Sequence, residues 1–145
     1  MKDIHSEPHQ EPATWILERL PRGLRTFIIK RRFPFMKIDV GGRTVKGETW
    51  YDKIPQGWRW SFGYSFCNDL REAFIQGGVN PKKMRIFIRE KFGIMDVTLS
   101  DPCPEVVLDV LTKYAKLSGR TCIECGDKAS GKTQAWILPD RKSVV

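Results

Sequence analysis

The chain has 145 residues, 25 Lys and Arg against 17 Asp and Glu, a formal net charge of +8, 41% hydrophobic residues and 11% aromatics. That is the length of one domain, with apolar material to bury about two-thirds of its unfolded surface, which excludes disorder throughout and two ordinary cores. Twelve Gly, nine Pro and four Cys are ordinary usage and exclude collagen-like, low-complexity and disulfide-dense scaffolds.

No run of about 18 apolar residues is free of charge, so neither a spanning helix nor a membrane partner is expected. The first 15 residues lack a basic start followed by an apolar stretch, so no signal peptide is read there. A cytoplasmic, reducing setting is the expectation, with the cysteines as thiols or metal ligands rather than disulfides.

Residues 1–13 have no apolar periodicity and read as a flexible leader, leaving 14–145 as a single α+β domain. A short helix over Trp15 to Leu20 follows, with Thr14 as N-cap and Pro21 as its stop. Thr26 to Ile29 reads as a β-rich run, and Phe33 to Val40 as a strand entering a turn at Gly41-Gly42, with residues 43–47 returning. Seven aromatics crowd positions 50–66, and a helix over 61–75 lays Phe62, Phe66, Leu70 and Phe74 along one face. Gly77-Gly78 and Pro81 end it. Residues 85–99 read as an antiparallel hairpin turning at Phe92-Gly93. A last helix over 105–117, with Pro104 in its first turn, buries Val106, Val107, Val110, Leu111, Tyr114 and Leu117. The expected architecture is a small antiparallel sheet packed by the 61–75 and 105–117 helices, with a cysteine knuckle near 121–136.

The positive charge is a spread excess with two concentrations. Arg25, Lys30, Arg31 and Arg32 lie in a stretch with no acid between Glu18 and Asp39, and Lys82, Lys83 and Arg85 open the second cluster. On one face, the two would attract a polyanion and release its counterions; scattered, they would only keep the surface solvated. Trp58-Arg59-Trp60 interleaves rings with a guanidinium as single-strand binders do, although core packing explains most of these aromatics more simply.

Cys122-Ile123-Glu124-Cys125-Gly126 has the spacing of a zinc knuckle, with Gly free to take the positive φ of the turn. One pair is half a tetrahedral site. Remaining ligands would come from Cys67, Cys103, Asp140, His5 or His9; otherwise the pair is a knuckle with two thiols, or a redox pair. Residues 126–133 match G-x-x-x-x-G-K-[ST], but a phosphate loop follows a buried strand and opens a long helix, and this one follows a knuckle with 12 residues to go. Both histidines lie in the leader, so no general base of the common type is expected in the folded part, and no enzyme.

From Gln56 to Trp136, the order of features resembles a family of small phage and prophage-associated proteins. These features are Gly57-Trp58, Phe66-Cys67, Arg89-Glu90-Lys91-Phe92-Gly93, Ser118, Thr121-Cys122 with Cys125-Gly126, and Trp136-Ile137. The resemblance implies a mobile-element origin and a zinc-ribbon-like site completed by a second Cys/His pair, where this chain has Leu138-Pro139-Asp140-Arg141. The expected function is that of a non-enzymatic binding protein contacting nucleic acid or a nucleoprotein complex through Arg25, Lys30, Arg31, Arg32, Lys82, Lys83 and Arg85. The alternative is an inhibitor, such as a toxin-immunity or anti-defence factor, that blocks one protein target.

Overall fold

Proline 21 divides the first two helices. In the computed structural model, which describes residues 12–127, α1 (Pro12–Arg19) stops before it and α2 (Arg22–Arg32) begins just after it. Most of the expected leader, residues 1–11, lies outside the described residues, and Pro12 and Ala13 are the first residues of α1. The run 26–29, expected as strand, is helical. Thr26, Ile29 and Phe33 are buried at spacings of three and four while Phe27 is exposed, so one helical face is packed. A four-residue apolar run carries too little periodicity to distinguish the two states, and the core decided.

A 3-10 turn (Pro34–Met36) precedes β1 (Lys37–Val40), so the expected 33–40 strand shrinks to its last four residues. Pro34 has no amide for a ladder. Strand β1 pairs antiparallel with β2 (Arg43–Thr49) across Gly41 and Gly42, both at positive φ. A short helix α3 (Trp50–Lys53) follows. Thr49 starts it by taking the Tyr51 N–H on Oγ1 (3.2 Å) and donating its own N–H to the Asp52 carboxylate (2.9 Å).

Helix α4 (Gln56–Gln76) is the axis of the core and starts five residues earlier than expected. Phe62, Phe66, Leu70 and Phe74 are buried along it. At Phe62 the backbone leaves helical geometry (φ −143°, ψ 16°), which interrupts the ladder of intrahelical bonds. The Tyr64 amide just beyond donates to Thr14 Oγ1 (3.1 Å). Thr14, expected as an N-cap, thus sits inside α1 and serves a different helix.

Strands β3 (Ile86–Lys91) and β4 (Ile94–Leu99) form the expected hairpin in unbroken register from Ile86↔Leu99 to Lys91↔Ile94. Helix α5 (Glu105–Ser118) packs on α4, where Phe62 and Phe66 meet the Tyr114 ring at 5.4 and 5.3 Å, and on β4, where Ser118 Oγ accepts the Met95 N–H (2.8 Å). The class is α+β. In place of one sheet and two helices, the described residues form two separate two-stranded antiparallel sheets and five α-helices. No helix among the described residues is long and apolar enough to cross a membrane.

Candidate functional site: a basic cleft beside an enclosed ionic cluster

The last turn of α2 carries Lys30, Arg31 and Arg32, cations placed favourably at the negative end of the helix dipole. Arg31 and Arg32 are exposed there because their neighbours Ile29 and Phe33 take the buried positions. Across from them lie Arg71 and Ile75 of α4, and the loop after α4 brings Asn80, Pro81 and Lys82. Asn80 shapes that loop: its Oδ1 accepts the Lys82 N–H (3.0 Å) and its carbonyl the Lys83 N–H (3.0 Å). The result is an open cleft of about 360 Å³ lined by Arg31, Arg32, Arg71 and Lys82, with no carboxylate among the lining residues. Arg71 also pairs with its neighbour Glu72 (3.0 Å), which is itself not a lining residue. Residues about fifty positions apart in the chain therefore meet in one place, and the structure adds Arg71, which stood outside both clusters in the sequence.

The other expected contacts lie elsewhere. Arg25 Nη2 meets Asp52 at 2.6 Å and its Nη1 meets Glu18 at 3.5 Å, and only 13% of its side chain is exposed. The Lys30 ammonium donates to the Val45 carbonyl (2.8 Å). Arg85 ties the two sheets together, with Nε on Asp39 (2.7 Å) and Nη1 on the Lys82 and Met84 carbonyls (3.1 and 2.8 Å). That hydrogen bond holds the Asp39 carboxyl below its ordinary range. Lys83 is exposed beside Lys82 and does not line the cleft.

Arg25 belongs to an ionic cluster that no spacing in the sequence foretold. Glu18 Oε2 accepts from the Tyr51 hydroxyl (2.6 Å) and Arg59 Nε (3.0 Å), so residues 33 and 41 positions away converge on one buried carboxylate. Gly63 makes room: a Cβ there would lie 2.9 Å from the Tyr51 ring. Burial, and then the Glu18 charge, push the Tyr51 hydroxyl far above its ordinary pKa. The Thr49-x-x-Asp52 capping pattern was the one available sequence clue, and it pointed to α3 only. Trp58 is fully buried and Arg59 is held by Glu18, so two of the three residues of Trp58-Arg59-Trp60 are engaged within the protein and only the half-buried Trp60 is left.

The cysteine knuckle is seated on the first turn of α4. Gly57 N–H donates to the Ile123 carbonyl (2.7 Å), Trp58 Nε1 to that of Thr121 (3.1 Å), and Gln56 Nε2 to that of Glu124 (2.9 Å). A Cβ on Gly57 would fall 2.0 Å from the Cys122 carbonyl oxygen, so only glycine permits this approach. Within the knuckle, Gly126 has φ +82° and the Cys125 N–H points at Cys122 Sγ (3.3 Å). Burial raises the Cys125 thiol pKa.

Two sulfurs suit half of a structural zinc site. Among the described residues no group of three or more His, Cys, Asp or Glu is placed to hold a metal. Cys67, expected as a candidate third ligand, is instead locked in the α4 core, where burial pushes its thiol pKa up strongly. Cys103, the other, sits before α5 with its thiol on the Asp101 carbonyl (3.5 Å). His5, His9, Asp140, the knuckle beyond residue 127 and all but the first two residues of the 126–133 motif lie outside the described residues.

A second surface runs along the outer edge of β4. Ser100 N–H turns inward to the Arg85 carbonyl and Met95 N–H outward to Ser118, so alternation points the Val97 and Leu99 backbone away from β3. A groove of about 570 Å³ lies there, with Cys103, Leu108 and Leu111 in its wall. Comparison of the chain with protein-family models, curated proteins and solved structures returned no match.

Proposed function

We propose that this chain is a non-enzymatic binding protein of the cytoplasm that contacts nucleic acid, alone or in a nucleoprotein complex, through the Arg31, Arg32, Arg71 and Lys82 cleft. The observation that carries this reading is the convergence of two basic segments on one carboxylate-free cleft. Guanidinium groups match phosphate oxygens bidentately, and a lysine adds a mobile point charge. A mobile-element origin rests on the sequence resemblance alone. Zinc at Cys122 and Cys125, with further ligands from outside the described residues, belongs to the same proposal and is tested by elemental analysis of the purified protein.

Salt titration tests the cleft. If all four cations each neutralise a phosphate, log K falls against log salt with a slope of about −2.8 on single strands or about −3.6 on duplex. The double variant Arg31→Ala, Arg32→Ala should flatten that slope by about 1.4 to 1.8. Affinity insensitive to salt, or no binding at about 50 mM salt, overturns the reading.

The inhibitor reading has its own supporting observation, the β4 edge with its apolar groove, which suits an extended peptide added as a third strand. It predicts a stoichiometric complex with one protein, broken by Leu108→Glu and indifferent to the cleft arginines.

A further inference from the structure

The Phe92-Gly93 turn closes the β3–β4 hairpin with both residues at positive φ, 54° and 81°. Two-residue hairpins favour this geometry because it matches strand twist, and Asn-Gly satisfies it most readily. Phe92 instead places a phenyl ring there. Among the described residues it is the only non-glycine at positive φ and, at 77% exposure, the most exposed large hydrophobic side chain.

Nothing in the hairpin requires that ring. Glu90 already holds the Gly93 N–H (2.7 Å), the ladder is in unbroken register, and Arg85 and Ser118 brace its base and outer edge. A side chain that is conformationally disfavoured and solvent-exposed on a rigid stalk points to contact with something outside the chain. The surroundings narrow what that is. Beside the ring stands the exposed Lys91, which no carboxylate among the described residues pairs with, while Arg89 is held by Asp96 (3.0 Å). Of the other exposed apolar side chains of the hairpin, Phe87 packs edge-on against Trp50 (5.7 Å) and Ile94 lies over Gly119. Neither gives the ring the apolar collar of a protein hot spot or the wide apolar face of a membrane contact. One open ring with one open cation fits an unpaired base and its phosphate.

We propose that Phe92 stacks on a base and that the ligand of this protein is single-stranded nucleic acid, engaging the hairpin tip as well as the α2–α4 cleft. This rests on the reading of the cleft as a phosphate site. Lys82 precedes β3 by four residues, and the six residues of β3 carry the tip on the order of 20 Å from its base, a span within reach of a strand of several nucleotides.

The variant Phe92→Asn separates binding from folding, because it installs the preferred turn sequence. With the full chain and a fluorescent oligothymidine of about 16 nucleotides, its affinity should fall about 5- to 150-fold while its melting temperature rises and its salt slope stays unchanged. Phe92→Tyr should restore binding, and affinity for a blunt duplex should change less than about twofold. If Phe92→Asn binds the oligothymidine as wild type does while Arg31→Ala, Arg32→Ala weakens it, the stacking inference falls and the cleft reading stands. Equal losses on strand and duplex would also overturn it, in favour of a wedge between paired bases. Absence of any wild-type binding overturns both.

Discussion

Arg25 and Arg32 stand two turns apart on α2 and have opposite fates. Arg25 faces inward, where the Glu18 and Asp52 carboxylates, with 6% and 7% of their side chains exposed, enclose it together with Arg59 and Tyr51. Arg32 lies open in a cleft whose lining holds no acid. The same residue type is thus a structural tie in one place and, in the other, an exposed charge set over the Phe33 ring with no carboxylate lining its cleft. Seven residues apart, the two share one side of the helix, so the difference lies in what packs at each end. Glu18 of α1 and Asp52 of α3 stand at Arg25, and α4 with the acid-free loop after it stands at Arg32. Charge enclosed with its partner is costly to disturb, whereas charge in the open is nearly neutral to stability and free to meet a ligand.

Glu18→Ala attacks the enclosed side directly. It removes the acceptor of the Tyr51 hydroxyl and of Arg59 Nε and leaves Arg25 with Asp52 alone, and should cost about 3–5 kcal/mol in urea unfolding. A loss below about 1 kcal/mol would show that water replaces the carboxylate and that the cluster is not truly enclosed. Gly57→Ala asks whether enclosure matters where no charge is involved. Its methyl group must displace the knuckle from α4, at about 1–3 kcal/mol, and should loosen the protection of the Gly57 and Trp58 N–H groups in hydrogen exchange.

The Asp39–Arg85 pair is intermediate, half-open and joining two sheets. Because the folded pKa of Asp39 is lowered from 3.8, its stabilisation is fully present above that value and lost as pH falls through the lowered one. Melting curves should therefore separate wild type from Asp39→Asn at pH 7 and converge in strong acid; an unchanging gap would contradict the pairing. At the open end, Arg31→Ala, Arg32→Ala should stay within about 0.5 kcal/mol of wild type in unfolding even as it loses its salt-dependent binding.

The elements with a clear period were legible from sequence. Alternation across 85–99 with Gly93 at the turn gave the hairpin, and four-residue spacing gave the buried face of α4. Where a segment was short or interrupted, burial by distant partners overrode local preference. Residues 26–29 are helical because Ile29 and Phe33 reach the core, and Thr14 lies within α1, its hydroxyl meeting an amide freed by the kink in α4. Of the site, the residue types were visible but their company was not: Lys82 and Arg31 showed as separate clusters, while Arg71 carried no signal because it stands next to Glu72 in the chain.

The chain by itself determined the α+β class, its hairpin and the presence of the α4 and α5 helices, because hydrophobic periodicity and turn residues act over a few positions. Of these helices α5 is amphipathic, while the kinked α4 is buried on several sides. Only the tertiary structure decided which arginines are neutralised and which are left open, because a charge is cancelled by whatever carboxylate folding brings within a few ångströms. Glu18 reaches Arg59 across 41 residues, and no carboxylate lines the cleft of Arg32.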